Sequence, residues 1–190
     1  MGRGERFRVT TDLEVPVTSS FRIDSFSSIY YSYAVGFLLT AREHETALAG
    51  AIDLNLINNS ALTLLISALG LEAHINAYGI RHLGKEYFDT IDRLSPPYKF
   101  RLVSDLLSNQ KNWLPNHLFA DLKLLFRIRD RLVHFKPLEA DGAIQGAVRR
   151  TFFISRKELG VLCFERTVLK LQELAPADDV SWLKNISSSK

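Results

Sequence analysis

The densest run of chemically capable side chains is Arg127-Ile128-Arg129-Asp130-Arg131-Leu132-Val133-His134-Phe135-Lys136-Pro137. An imidazole titrates near neutral pH and can give or take a proton, while a guanidinium is a permanently charged fork of donors suited to phosphate oxygens. Together they could carry acid–base chemistry at a phosphate ester. The same run also reads as a solvated basic helix face, and a histidine in a last helical turn favours the negative end of the helix dipole by roughly 0.3 to 1 kcal/mol. Deciding between these readings requires the elements that position the run.

Other common site signatures are absent from the sequence. There is no glycine-rich phosphate loop, no Cys-x-x-Cys, no His-Glu-x-x-His and no Gly-x-Ser-x-Gly. The histidines are scattered, none with a second at helical ligand spacing, so no metal or organic cofactor is expected. The lone Cys163 can form neither an intramolecular disulfide nor a thiolate cluster, which points to a reducing compartment and a cytoplasmic protein. Hydrophobic residues at 46% and charged residues at 24% suit a folded globular chain. The apolar stretches Tyr30 to Thr40 and Ala61 to Leu71 fall short of the roughly 20 residues of a spanning helix, and Met1 to Arg6 leads into no apolar signal core. A net charge of +3 says little by itself; where the cations sit matters more.

The elements are expected to be mainly all-α, a single domain over residues 25–186 made of about five or six helices with minor extended segments. Residues 1–24 carry Val9, Thr10, Thr11, Val15 and Val17 and read as an extended segment; 187–190 read as a frayed tail. Apolar residues at helical spacing predict a helix from Asp24 to about Glu45–Gly50. A second is expected from Leu62 to His82, capped by Asn58-Asn59-Ser60 and stopped by Gly84. Short helices follow at Lys85–Leu94 and Tyr98–Leu107, parted by Ser95-Pro96-Pro97. Leu118, Leu122, Leu125, Ile128, Leu132 and Phe135 mark a strong helix that Pro137 closes, which places His134 in its last turn. Gly142 and Gly146 suggest a loop, Val148 to Ile154 an extended piece, and Ser155 the cap of a helix to about Leu174. Asp179 to Ile186 are expected to add one short helical turn.

Arg129-Asp130 followed three residues later by His134 resembles the Arg-x(4–6)-His motif of the HEPN superfamily, and Leu132 to Pro137 is similar to its usual continuation. Upstream, Ala68-Leu69-Gly70-Leu71-Glu72-Ala73-His74-Ile75-Asn76 is similar to a buried helix with a Glu-Ala-x-Ile-Asn core found in bacterial members, and Leu94 to Leu107 resembles the helix pair that follows. The resemblance spans roughly residues 60 to 175. It implies a helical bundle that forms a homodimer with two motifs facing one cleft, and a metal-independent endoribonuclease using the RNA's own 2′-hydroxyl. It also implies His134 as proton carrier and Arg129 as stabiliser of phosphate charge, with Asp130 orienting one of them. Arg127, Arg131 and Lys136 become candidates for holding backbone phosphates.

At 100° per residue Arg127, Asp130, Arg131 and His134 share a face, whereas Arg129 lies about 140° round from His134. Either the last turn loosens or Arg127 is the partner of His134; the following Asp130 favours Arg129. The resemblance more often has asparagine where this chain has Asp130, and an acid there weakens anion binding. Glu72 and Asn76, one turn apart on an apolar helix, read as polar groups bonding between helices, or as lining the cleft. His74, His82, Trp113, Trp182 and Cys163 read mainly as packing residues, with Trp113 also able to stack a base. Besides a ribonuclease of defence or toxin type, the resemblance leaves open a non-catalytic dimerisation or interaction module, and a toxin whose protein regulator is nucleotidyltransferase-like.

Overall fold

The computed structural model describes residues 24–47, 53–110, 113–134 and 142–187, with the backbone alone at 24–25, 142–150 and 187. Seven helices follow in order: α1 (Asp24–Ala47), α2 (Leu54–Leu83), α3 (Lys85–Ile91), α4 (Pro96–Ser108), α5 (Asn116–Val133), α6 (Gly142–Leu174) and α7 (Ser181–Ser187). Among the described residues there is no strand, so the chain is an all-α bundle. The extended segment expected near the N-terminus lies outside the described residues.

α1 buries a stripe of Ser27, Tyr31, Ala34, Val35, Leu38 and Ala41 at helical spacing. Asp53 caps α2, its Oδ1 accepting from the Leu56 N–H at 2.6 Å. The expected cap cluster Asn58-Asn59-Ser60 instead lies inside the helix. Its side chains bond back one turn, Asn59 Nδ2 to the Asn55 carbonyl (2.8 Å) and Ser60 Oγ to the Leu56 carbonyl (2.7 Å), so no exposed polar turn is needed. Gly84, at φ +83°, ends α2 in a conformation open to glycine.

α2 is the central helix, touching α1, α3, α4, α5 and α6. Ser27 at His74 and Tyr30 at Gly70 make α1 antiparallel to it, whereas Gly160 at Ser67 and Tyr78 at Leu171 make α6 parallel. Small residues set the approach: a Cβ on Gly70 would lie 2.5 Å from Tyr30 Cβ and 2.6 Å from the Phe164 ring, so α1, α2 and α6 meet there without room for a methyl group. α2 is long and apolar enough, by composition, to cross a bilayer; its apolarity serves this central position, with Leu64, Ala68 and Leu71 fully covered.

α6 overturns the expected loop at Gly142 and Gly146, the extended piece Val148 to Ile154 and the cap at Ser155, because one helix runs through all of them. Phe152 and Phe153 pack against the core from it, and Ser155 Oγ donates to the Phe152 carbonyl at 3.0 Å. Packing outweighs the local β preference. α7, expected as one short helical turn, buries Leu183 and sets Trp182 edge-on to Tyr31 and Phe164.

Candidate functional site at the end of α5

Helix α5 is two-faced. Leu118, Leu122, Leu125, Phe126 and Ile128 are buried against the bundle, while Arg127, Asp130, Arg131 and His134 are exposed. The helix stays regular to its end: the His134 N–H still donates to the Asp130 carbonyl at 2.9 Å, and only His134 itself, at φ −99° and ψ 45°, turns the chain away. No loosened turn brings Arg129 and His134 together. Their five-residue offset keeps them about 140° apart around the axis, and Arg127 and Arg131 are the arginines on the face of His134.

Arg129 faces α2 instead. Its side chain is 20% exposed, with Nη2 3.5 Å from Glu72 Oε2 and Nε 3.1 Å from Asp130 Oδ1. Its guanidinium carbon lies 5.3 Å from the centre of the Phe126 ring. The Asp130 contact is an ion pair by distance only, since Nε is buried and has no hydrogen-bond partner among the described residues. A planar fork with five donors is thus fixed by a ring and two carboxylates while part of its donor capacity is unused. Three arginines against Glu72 and Asp130 leave one formal positive charge at this end, apart from His134.

Glu72 and Asn76 both bond between helices, but to different partners. Asn76 Oδ1 accepts from Lys99 Nζ at 3.2 Å, and that ammonium also donates to Asp92 Oδ1 at 2.6 Å and lies 5.3 Å from the Phe88 ring. Lys99 is almost fully buried, and its hydrogen bond holds the exposed Asp92 carboxyl below the usual carboxylate range. The structure therefore brings Arg129, Asp130 and Glu72 together, leaves Arg127, Arg131 and His134 on the outer face, and sends Asn76 to a separate cluster. Lys136 lies outside the described residues.

Trp182 packs in the core beside His74, and Lys170 Nζ sits 4.1 Å from the Trp113 ring. Cys163 is buried, which pushes its thiol up to about 12. Sequence reasoning missed Phe126 as the support of Arg129, although its position three residues earlier on the same helix is the spacing at which side chains meet. No family model matches the chain, and no curated protein or solved structure matches it.

Proposed function

We propose that the protein is a metal-independent endoribonuclease of the HEPN type that works as a homodimer on RNA. The observation that carries this reading is the exposed His134 at the end of α5, with Arg127 and Arg131 exposed on its face and Arg129 held in place beside Glu72 on the flank of the same helix. In the reaction the 2′-oxygen forms a bond to the adjacent phosphorus as the bond to the 5′-oxygen breaks. The proton leaves the 2′-hydroxyl and reaches the departing oxygen, a transfer suited to His134. A guanidinium stabilises the extra phosphate charge. The products are a 2′,3′-cyclic phosphate and a 5′-hydroxyl.

The separation of Arg129 from His134 around α5 favours a composite site, with Arg129 of one copy serving His134 of the other. Arg127, on the face of His134, is the same-chain alternative. Arg129→Ala, alone and mixed with His134→Ala, separates them: a composite site leaves each variant inactive alone and recovers about a quarter of parental cleavage in randomly mixed dimers, whereas a same-chain site with Arg127 leaves Arg129→Ala active alone and gains nothing on mixing. The parental test is incubation of a mixed single-stranded RNA with the protein and a chelator. Cyclic phosphate ends from the parent, and none from His134→Ala, support the reading. No cleavage with any preparation sinks it.

A second reading, a non-catalytic dimerisation or interaction domain, is favoured by one feature: two carboxylates already neutralise much of the Arg129 charge. A toxin role under a protein regulator is compatible with the first reading and is tested by whether expression of the parent, but not of His134→Ala, arrests growth.

A further inference from the structure

The cations of α5 continue well before its last turn. Lys123, Arg127 and Arg131 recur every fourth residue and His134 follows, all exposed and all within about 80° of arc. At 1.5 Å per residue this strip is about 16 Å long, with its cations about 6 Å apart along the axis. The acid on the next turn of the helix, Asp121, points off the strip to Arg166 at 3.7 Å; among the described residues of α5, Asp130 is the carboxylate beside it.

The start of the strip is aromatic. Tyr98, on α4, is 49% exposed and meets Phe119 edge-on, ring centres 5.5 Å apart. Lys123 Nζ lies 5.8 Å from the Tyr98 ring and 5.6 Å from that of Phe119, and the Arg101 guanidinium carbon is 5.0 Å from Phe119, with Asp105 4.0 Å from Arg101. A half-exposed ring beside a lysine, at the head of a row of cations, joins the two features that hold single-stranded nucleic acid without regard to sequence: a stacking platform and a charged path for the backbone.

We propose that this strip is a track for single-stranded RNA, about four nucleotides long. A base stacks on Tyr98, and the phosphates pass Lys123, Arg127 and Arg131 to reach His134. This rests on RNA being the ligand and adds a binding subsite remote from the reacting atoms. An acidic polypeptide would use the cations but not the ring face, so the ring decides between the two partners.

The test measures binding of the full chain carrying His134→Ala, so that RNA is not consumed, to a short labelled single-stranded RNA and to the same oligomer with its bases removed. Tyr98→Leu, which keeps an apolar side chain, weakens binding of the base-bearing RNA about 5- to 150-fold and of the abasic oligomer less than about twofold. Lys123→Gln lowers the slope of log affinity against log salt by about 0.7, while Lys85→Gln, paired with Asp89 on α3, leaves it unchanged. Equal loss of both oligomers, no loss with Tyr98→Leu, or displacement of the RNA by polyglutamate at equal charge overturns the track. Ring-dependent binding with no cleavage by the parent keeps the track and removes the ribonuclease reading. Cleavage with ring-independent binding does the reverse, and no RNA binding at all removes both.

Discussion

Two helix ends in this protein carry an arginine and a histidine, and they are built in opposite ways. At the end of α2, Arg81 and His82 both reach Asp178, at 3.2 and 2.9 Å, and the His82 ring lies 4.3 Å from that of Tyr78. Tyr78 in turn donates to the Leu171 carbonyl at 2.9 Å, and burial pushes its phenol up to about 12. Arg81, His82 and Tyr78 each contact a distant part of the same chain, and the connection between α6 and α7 is clasped onto α2. At the end of α5, Arg127, Arg131 and His134 face outward, and only Arg129 is tied back, by Glu72. The first end spends its charges on holding the bundle together; the second leaves them available. Residue type does not separate the two, whereas satisfaction and exposure do.

The sharpest way to break the comparison is to remove one histidine from the open end. On the proposed ribonuclease reading, His134→Ala lowers RNA cleavage about 10²- to 10⁴-fold and leaves the urea midpoint of unfolding unchanged. A midpoint that falls with the activity would make the α5 end structural as well.

The closed end predicts acid sensitivity. Burial holds the His74 imidazole down to about 4, with Arg81 adding to the fall and Asp178 opposing it. The unfolded chain takes up this proton near pH 6.5 and the folded one does not until about 4. Stability is therefore full above pH 6.5, declines as pH falls through that window, and levels off below it. Between pH 7.5 and 5.0 the loss is about 2 kcal/mol. Urea unfolding at the two pH values, with His74→Gln as comparison, checks it; an equal loss in the variant would place the effect elsewhere.

Asp178→Asn leaves Arg81 and His82 without their carboxylate and costs about 1 to 3 kcal/mol of stability, read as an earlier thermal or urea transition with cleavage per folded molecule intact. The smallest effect is expected where the two designs overlap. Glu72→Gln costs about 1 kcal/mol of stability and, by freeing the Arg129 guanidinium, alters cleavage more than folding. A stability loss as large as that of Asp178→Asn would show that Arg129 belongs with the clasped groups.

Much of the architecture followed from local chemistry in the chain. Apolar spacing marked α1, α2, α4 and α5, and Gly84 and the Pro96-Pro97 pair marked their ends, because hydrogen-bonding capacity and allowed dihedrals are properties of the residues themselves. The helical period alone also put Arg127 on the face of His134 and Arg129 off it. What local chemistry misjudged were stretches where packing overrules it. Asn58 to Ser60 lie within α2, and Val148 to Ile154 belong to α6, whose Phe152 and Phe153 find their burial only in the assembled bundle. The partners that give the site its character come from distant parts of the chain. Glu72 reaches Arg129 from α2, Tyr98 meets Phe119 and Lys123 from α4, and Asp178 closes the other end from beyond α6. Periodicity fixes the direction a side chain takes from its own helix, but the neighbour it meets depends on how the helices pack, and that was decided by close approaches such as the one at Gly70.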